Sequence, residues 1–350
     1  MLSRNDALEA RLRHVETKPA LDLDAVDAAI ERIRRPEVLR EQIGDALLYA
    51  QRVEAEVGGL SIETLLPHTS NDYVGRFLHV WVPDEQGHGE AQAHLAVHLG
   101  LQPYVPRPED AIPLHNRAAG FLARLLPRVK TMIEMTYHTI GAINERLALE
   151  AYRRMAAILE QLGEDEMARA LMVPMRNDEA AHLSYYRTYA RQLRPTLSTW
   201  QLAAVRALIV HTYAPVGAGE KRDKAPLGRA LMQLETDPDD PGIATSVQAI
   251  AEELLSDGTE LQPFVRDSLQ ACVRLARQSG QVLLQVLAHA ERTPAAGQHD
   301  APHRRVVGHL AHRRQQQVLG RHVETVHRVR PVEGDGGHRV DDVEEHGGSG

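Results

Sequence analysis

The feature that most constrains the fold of this chain is a motif that occurs twice, Glu85-Gln-Gly-His88 and Glu179-Ala-Ala-His182. Another glutamate precedes each motif at a similar distance: Glu54 stands 31 residues before the first, and Glu145 stands 34 residues before the second. Residues three apart lie on the same face of an α-helix, so each motif can direct a carboxylate and an imidazole at one point. The repeated spacing therefore predicts long helices that pair in hairpins.

Composition favours a helical fold. Hydrophobic residues make up 43% of the chain, whereas aromatic residues make up only 4%. Ala, Leu, Glu, Arg and Gln are abundant, and these residues favour helices over strands. The expected fold class is all-α, and Pro174 is expected to kink the helix that contains it. Periodic apolar positions and turn signals predict helices at about 22–35, 36–66, 71–99, 128–162, 164–193, 198–213, 243–257 and 260–290.

Charge and cysteine content exclude several classes of protein. The formal net charge of −8 argues against a nucleic-acid binder, which usually carries a basic stripe. Cys272 is the only cysteine, which excludes an internal disulfide framework and a cysteine zinc site and is typical of a reducing compartment. The segment Met1–Pro19 lacks the apolar core of a signal peptide. No apolar run is long enough for a membrane span, so we expect a cytoplasmic protein.

Composition changes abruptly near Glu291. Residues 291–350 contain eight histidines and no aromatic residue, and no helical or strand periodicity is visible there. We therefore predict three segments: an N-terminal extension with a short helix at 1–35, a helical domain with accessory C-terminal helices at 36–290, and a low-complexity, disordered tail at 291–350.

The spacing of the acidic residues predicts that they meet inside the bundle. Two residues of an antiparallel helix pair lie at the same depth when they are equally far from the connecting turn. The second motif and its upstream glutamate centre on position 162, beside a predicted break at Gly163. The first motif and its upstream glutamate centre within a predicted turn at Pro67–Asn71. Burying four carboxylates without cations would be very costly, and carboxylates with a few imidazoles suit iron or manganese.

The first carboxylate has two competitors. Glu56 lies close to Glu54, and Glu63 occurs in the string Glu63-Thr-Leu-Leu-Pro67. Glu63 stands only 22 residues before Glu85, so its hairpin would turn later than the turn signals at 67–71 allow. The spacing therefore favours Glu54.

These residues resemble the ferritin-like di-iron oxygenases, especially the soluble acyl-carrier-protein desaturases. Trp81 followed by Asp84-Glu85-Gln-Gly-His88-Gly89 is similar to the first Glu-x-x-His helix of that family. Asn144-Glu145-Arg146-Leu-Ala148 and Asp178-Glu179-Ala-Ala-His182, with Tyr185 soon after, resemble its other ligand segments. The likeness covers roughly residues 40–195. The first hairpin is short for a plant-type desaturase, and the family's Glu-Glu-Asn-Arg-His string is here Asp-Glu-Gln-Gly-His.

The resemblance implies a ferritin-like four-helix bundle with additional helices, in which a di-metal cluster is the catalytic group. The cluster would contain two iron ions, with manganese or a mixed pair as alternatives. Asp84 and Asp178 would orient the histidines, and Trp81 would lie outside the ligands. The implied metal ligands are Glu54, Glu85, His88, Glu145, Glu179 and His182.

The resemblance also implies an activity: an O2-dependent oxidoreductase of fatty acid metabolism that desaturates an acyl chain. Electrons would come from an external donor such as ferredoxin, because the sequence contains no flavin or nicotinamide fingerprint. Acyl carrier protein would present the substrate, and a homodimer is compatible with the resemblance.

Three alternatives remain open at this stage: a di-iron hydroxylase or N-oxygenase of another small substrate, a non-catalytic ferritin-like protein that handles iron, and a bundle that has lost its metal. A long, narrow apolar channel beside the cluster would favour the acyl chain, whereas a short polar pocket would exclude it.

Overall fold

The structure is a computed structural model that describes residues 4–60, 72–105, 126–216, 218–219, 221–234 and 241–292. These residues form helices, and no β-strand occurs among them, which confirms the all-α prediction. The chain divides into a compact unit, Met1–Leu287, and a second unit, Ala288–Gly350, of which only the end of the last helix is described. None of the described helices combines the length and the apolar character that a bilayer crossing requires.

Ten α-helices of eight or more residues are described. They are α1 (Arg4–Thr17), α2 (Leu23–Ile30), α3 (Pro36–Leu60), α4 (Asp72–His98), α5 (Pro127–Gln161), α6 (Val173–Leu193), α7 (Thr199–Thr212), α8 (Lys221–Gln233), α9 (Pro241–Leu255) and α10 (Phe264–Arg292).

Four long helices form the centre of the bundle as two pairs, with α3 packed against α4 and α5 packed against α6. The turn of the second pair lies where the spacing predicts it. Gly163 follows the end of α5 with a φ of 76°, a left-handed conformation that glycine adopts without strain after a helix. The predicted turn of the first pair, Pro67–Asn71, lies outside the described residues.

The remaining helices surround this centre. Helix α1 packs against α4 and α6, α8 packs against α3, and α7 and α9 pack against α5. Arg76 of α4 pairs with Glu9 and Glu16 of α1 at distances of 3.0 and 2.7 Å. The sequence predicts neither α1 nor α8. The short helix predicted near 22–35 is observed as α2.

Helix α6 begins with an irregular turn. A short helical turn, Asp165–Met167, is followed by a π-helical turn, Ala168–Met172, in which the N–H of Val173 donates to the carbonyl of Ala168. Pro174 follows directly, and it has no N–H with which to continue the α-helical hydrogen-bond pattern. The irregularity expected from Pro174 is thus a π-helical turn.

The core consists of two apolar clusters at different depths along the bundle. One includes Phe77, Met135 and Tyr185, and the other includes Leu95 and Met155. Both Glu-x-x-His motifs lie between these clusters along α4 and α6. Polar residues therefore occupy one layer of the bundle, with apolar layers on both sides.

Some predicted segments fall outside the described residues. These are the end of the 36–66 helix, most of the connection after Gln102, and the tail from 293 onward. Helix α10 continues to Arg292, which is two residues beyond the predicted end of the last helix at position 290.

Candidate metal centre

The structure brings all six predicted ligands together, although they come from four different helices. All six are buried, with at most 7% of any residue exposed. They form two groups of four, and within each group the potential ligand atoms lie within 4.8 Å of one another. The first group is Glu54, Glu85, His88 and Glu179, and the second is Glu85, Glu145, Glu179 and His182.

Two glycines let the helices approach closely beside these residues. A Cβ atom at Gly89 of α4 would lie 3.3 Å from the Cβ of Glu54 and 3.2 Å from the next backbone nitrogen of α3. A Cβ atom at Gly141 of α5 would lie 2.7 Å from the ring of Tyr186 in α6. Each helix pair therefore depends on a glycine at the depth of the site.

The histidines direct their Nδ1 atoms at the glutamates. Nδ1 of His182 lies 3.1 Å from a carboxylate oxygen of Glu85, and Nδ1 of His88 lies 3.4 Å from an oxygen of Glu179. Each histidine also faces the glutamate of its own motif, at 3.9 Å for His88 and 3.8 Å for His182. The two Nδ1 atoms are thus the ones placed to bind a metal.

The opposite ring nitrogens are held by the two aspartates predicted to orient them. Nε2 of His88 lies 3.0 Å from Oδ2 of Asp178, and Nε2 of His182 lies 3.1 Å from Oδ2 of Asp84. The pairing crosses the bundle, because His88 and Asp84 belong to α4 whereas His182 and Asp178 belong to α6. A carboxylate that accepts the Nε2 proton leaves Nδ1 free to act as the ligand atom.

Trp81 lies outside the ligand cluster. Its ring stacks at 6.1 Å from the ring of Phe77 and meets Tyr186 edge-on at 6.2 Å. It therefore belongs to the apolar layer beside the site.

The carboxylates alter one another's affinity for protons. Burial and the nearby charge of Glu85 raise the pKa of Glu54 well above its ordinary value. Burial and the nearby charge of Glu179 do the same to the pKa of Glu145. Burial opposes ionisation of Glu179 as well, but the neighbouring Glu145 and both histidines outweigh it and lower the pKa of Glu179. Without a metal, protons bound to Glu54 and Glu145 thus reduce the repulsion among the carboxylates.

The pKa values of both histidines are raised, although burial alone would lower them. Burial would lower the pKa of His88, but the hydrogen bond to Asp178 and the nearby carboxylate of Glu179 outweigh this effect and raise the pKa to about 9. The pKa of His182 is raised for the same reasons, with Asp84 as the largest stabilising partner. The carboxylates therefore favour positive charge at this point, as a metal-binding site must.

The residues fit a pair of metal ions. Among the residues that the structure describes, four buried atoms at the centre of the cluster have no hydrogen-bond partner: Oε1 of Glu85, Nδ1 of His88, Oε1 of Glu179 and Nδ1 of His182. Buried polar atoms are rarely left unsatisfied, and cations would satisfy all four. Four carboxylates and two imidazoles on four facing helices are the ligand set of di-iron and di-manganese carboxylate proteins.

The structure also bears on the choice of the first carboxylate. Glu54 lies in the cluster, where it accepts a hydrogen bond of 2.5 Å from the hydroxyl of Tyr152. Gln92 in turn donates to that hydroxyl at 3.2 Å. Glu56 belongs to neither ligand group, and Glu63 lies outside the described residues.

Three residues near the site are absent from the sequence prediction. Tyr152 and Gln92 stand seven residues after Glu145 and Glu85, so two turns of helix place them on the same faces as these ligands. That spacing could have identified them. Lys18, which follows α1, forms ion pairs of 2.7 Å with both orienting aspartates. No sequence motif marks it.

A small apolar cavity adjoins the cluster. Its volume is about 80 Å³, and Glu54 is one of its lining residues. Helices α3, α5 and α8 contribute most of the lining, which is formed almost entirely by apolar atoms. The apolar lining includes Ala46, Ala50, Val53, Leu147, Ala148, Ala151, Leu227, Ala230, Leu231 and Leu234.

Comparison with known proteins gives no match: no protein-family model, curated protein or solved structure matches this chain. Function is therefore inferred below from the geometry and chemistry of the site.

Proposed function

We propose that this chain is a ferritin-like di-metal carboxylate protein that uses O2 to oxidise an organic substrate. One observation carries the proposal: two four-residue ligand groups overlap, and Glu85 and Glu179 belong to both. Glu85 and Glu179 could therefore serve both of two ions, while Glu54 and His88 would hold only one of them and Glu145 and His182 only the other. The oxygen-rich ligand set favours iron or manganese.

Two ferrous ions held by these residues would supply the reduction of O2, and the protein supplies the environment for it. Asp178 and Asp84 keep Nδ1 of each histidine available to a metal. The apolar layers on either side of the site exclude water, which strengthens electrostatic interactions within it. Tyr152 donates to Glu54 and so limits the positions that this carboxylate can take.

The finer proposal is that the substrate is an acyl chain. The cavity beside Glu54 is lined almost entirely by apolar atoms, so it suits a hydrocarbon and offers little to a polar substrate. In a desaturation, the chain would lose two hydrogens and gain a carbon–carbon double bond. These two hydrogens, together with two electrons and two protons from an external donor, would reduce one O2 to two waters. A ferredoxin-like donor and an acyl carrier protein are the proposed partners.

The first test is metal analysis of the purified protein after anaerobic loading with ferrous iron. We expect two ions per chain. Fewer than about one would refute the di-metal proposal.

The second test is turnover by the loaded protein with O2, a chemical or protein reductant, and an acyl-carrier-protein thioester of a saturated fatty acid. Mass spectrometry of the product separates the alternatives. Loss of two hydrogens supports desaturation, whereas addition of one oxygen would replace it with hydroxylation. Stoichiometric iron oxidation into a mineral, with the thioester unchanged, would instead assign the protein to iron handling.

A further inference from the structure

Lys18 lies at a point where two helices of the site meet α1. Its Nζ atom is 2.7 Å from Oδ2 of Asp84 and 2.7 Å from Oδ1 of Asp178, and only 9% of its side chain is exposed. Burial alone would lower the pKa of Lys18, but its close contacts with Asp178 and Asp84 outweigh it and raise the pKa. The ammonium group is therefore charged and held between two carboxylates.

Through these aspartates, Lys18 is linked to both histidine ligands. Asp178 accepts from Nε2 of His88 at 3.0 Å, and Asp84 accepts from Nε2 of His182 at 3.1 Å. The ammonium group of Lys18 is thus connected to each imidazole through one aspartate. An aspartate that is held on one side by Lys18 has less freedom to rotate away from its histidine on the other.

Lys18 also affects the charge balance of the site. Six carboxylates lie in this region: the four glutamates of the cluster and the two aspartates. Two divalent cations would leave a formal charge of −2, and the ammonium group reduces it to −1. A buried carboxylate that loses a charged partner is destabilised, so removal of Lys18 should loosen both aspartates.

We propose that Lys18 is a positioning residue for both metal ions, and that docking of α1 and metal binding stabilise each other. This inference rests on the proposed di-metal site. Lys18 reaches the aspartates because α1 packs against α4 and α6. If docked α1 strengthens metal binding, bound metal must strengthen the docking of α1 by the same factor.

The test measures two properties of the full-length protein: equilibrium binding of Mn²⁺ alone, and hydrogen exchange of the α1 amides with and without Mn²⁺. In Lys18→Met we expect affinity for both ions to fall about 10–100-fold, the usual effect of losing a partner behind a ligand. We also expect Mn²⁺ to slow exchange in α1 of the wild-type protein but not in this variant. Lys18→Gln keeps hydrogen-bonding capacity without the charge. Its affinity for Mn²⁺ should lie between that of the wild-type protein and that of Lys18→Met.

The matched control is Arg76→Met, which removes the other ion pairs between α1 and α4. These pairs are more exposed and lie away from the aspartates, so Mn²⁺ affinity should change by no more than about fivefold. Wild-type affinity in both Lys18 variants would overturn the role of Lys18 and leave the di-metal site standing. Absence of Mn²⁺ binding to the wild-type protein would overturn both. Unchanged α1 exchange in the wild-type protein on Mn²⁺ binding would overturn the coupling, even if neither variant folded.

Discussion

The overlap of the two ligand groups predicts that carboxylates of the site are not equivalent. Glu179 belongs to both groups, whereas Glu145 belongs to one. Replacement by glutamine keeps the shape of the side chain and removes its charge. We expect Glu145→Gln to retain about one metal ion per chain and Glu179→Gln to retain fewer than one, against two in the wild-type protein.

The expected magnitude follows from the linkage between binding and stability. A metal present at about 100 times its dissociation constant adds about 2.7 kcal/mol per site to the free energy of unfolding. For a domain of this size, each kcal/mol raises the melting temperature by about 2–4 °C. Metal should therefore raise the melting temperature of the wild-type protein by about 10–20 °C, that of Glu145→Gln by about 5–10 °C, and that of Glu179→Gln hardly at all.

The metal-free proteins should differ in a way that no simple loss of ligands explains. Burial and the charge of Glu179 raise the pKa of Glu145, so glutamine resembles the protonated acid already present, and Glu145→Gln should unfold near the wild-type temperature. Burial opposes ionisation of Glu179, but its neighbours Glu145, His182 and His88 outweigh this effect and lower its pKa. Glu179→Gln removes the ionised carboxylate beside these groups and should cost about 1–3 kcal/mol.

The assay combines metal analysis after dialysis with calorimetric melting, with and without Mn²⁺. Glu56→Gln is the control, because Glu56 lies two residues from Glu54 and belongs to neither ligand group. This variant should bind two ions. The shared-ligand reasoning would be refuted if Glu145→Gln lost both ions, or if Glu179→Gln kept one of them and melted like the wild-type protein.

Three further predictions concern packing, substrate and pH. Gly141→Ala should lower the free energy of unfolding by about 1–3 kcal/mol, because its Cβ would lie 2.7 Å from the Tyr186 ring. Gly75→Ala, with open space around it, should instead raise that free energy by about 0.5–1 kcal/mol; equal melting shifts would contradict this packing. Ala151→Phe should fill the cavity and abolish acyl-chain turnover at unchanged metal content; retained turnover would place the substrate elsewhere. The pKa of His88 is raised to about 9 in the metal-free protein, so below that pH a metal ion must displace the proton of His88, and metal affinity should increase as pH rises toward 9. Titration calorimetry in buffers of different ionisation enthalpy would detect the released protons. Their absence would contradict the assignment of His88 as a metal ligand.

The ligand set could be predicted from the sequence because helical periodicity and hairpin symmetry are local rules. Gly163 marks one turn, and equal distances from it bring Glu145 and Glu179 to the same depth. The same rule favoured Glu54 over Glu63, and the structure places Glu54 in the cluster. Predicting these residues required no knowledge of how the outer helices pack.

Two of the outer helices, α1 and α8, were not predictable in the same way. Pro226 and Gly228 interrupt the helical pattern of α8 in the sequence, yet packing against α3 and α10 maintains it. A Cβ at Gly228 would lie 2.1 Å from the carbonyl oxygen of Cys272, so this glycine serves a close contact that only the folded chain reveals. Lys18 is of the same kind: its partners lie more than sixty residues away in the chain, and only tertiary structure pairs them.

The π-helical turn Ala168–Met172 has a consequence for how the length of this chain can vary. A π turn holds about one residue more than the α-helical turn it replaces. Loss of one residue there would restore a regular helix and leave Glu179 and His182 facing the bundle. Loss of one residue between Met175 and Asn177 would instead rotate both ligands by about 100°. The π-helical turn is therefore the place before these ligands where one residue can be lost while Glu179 and His182 still face the bundle.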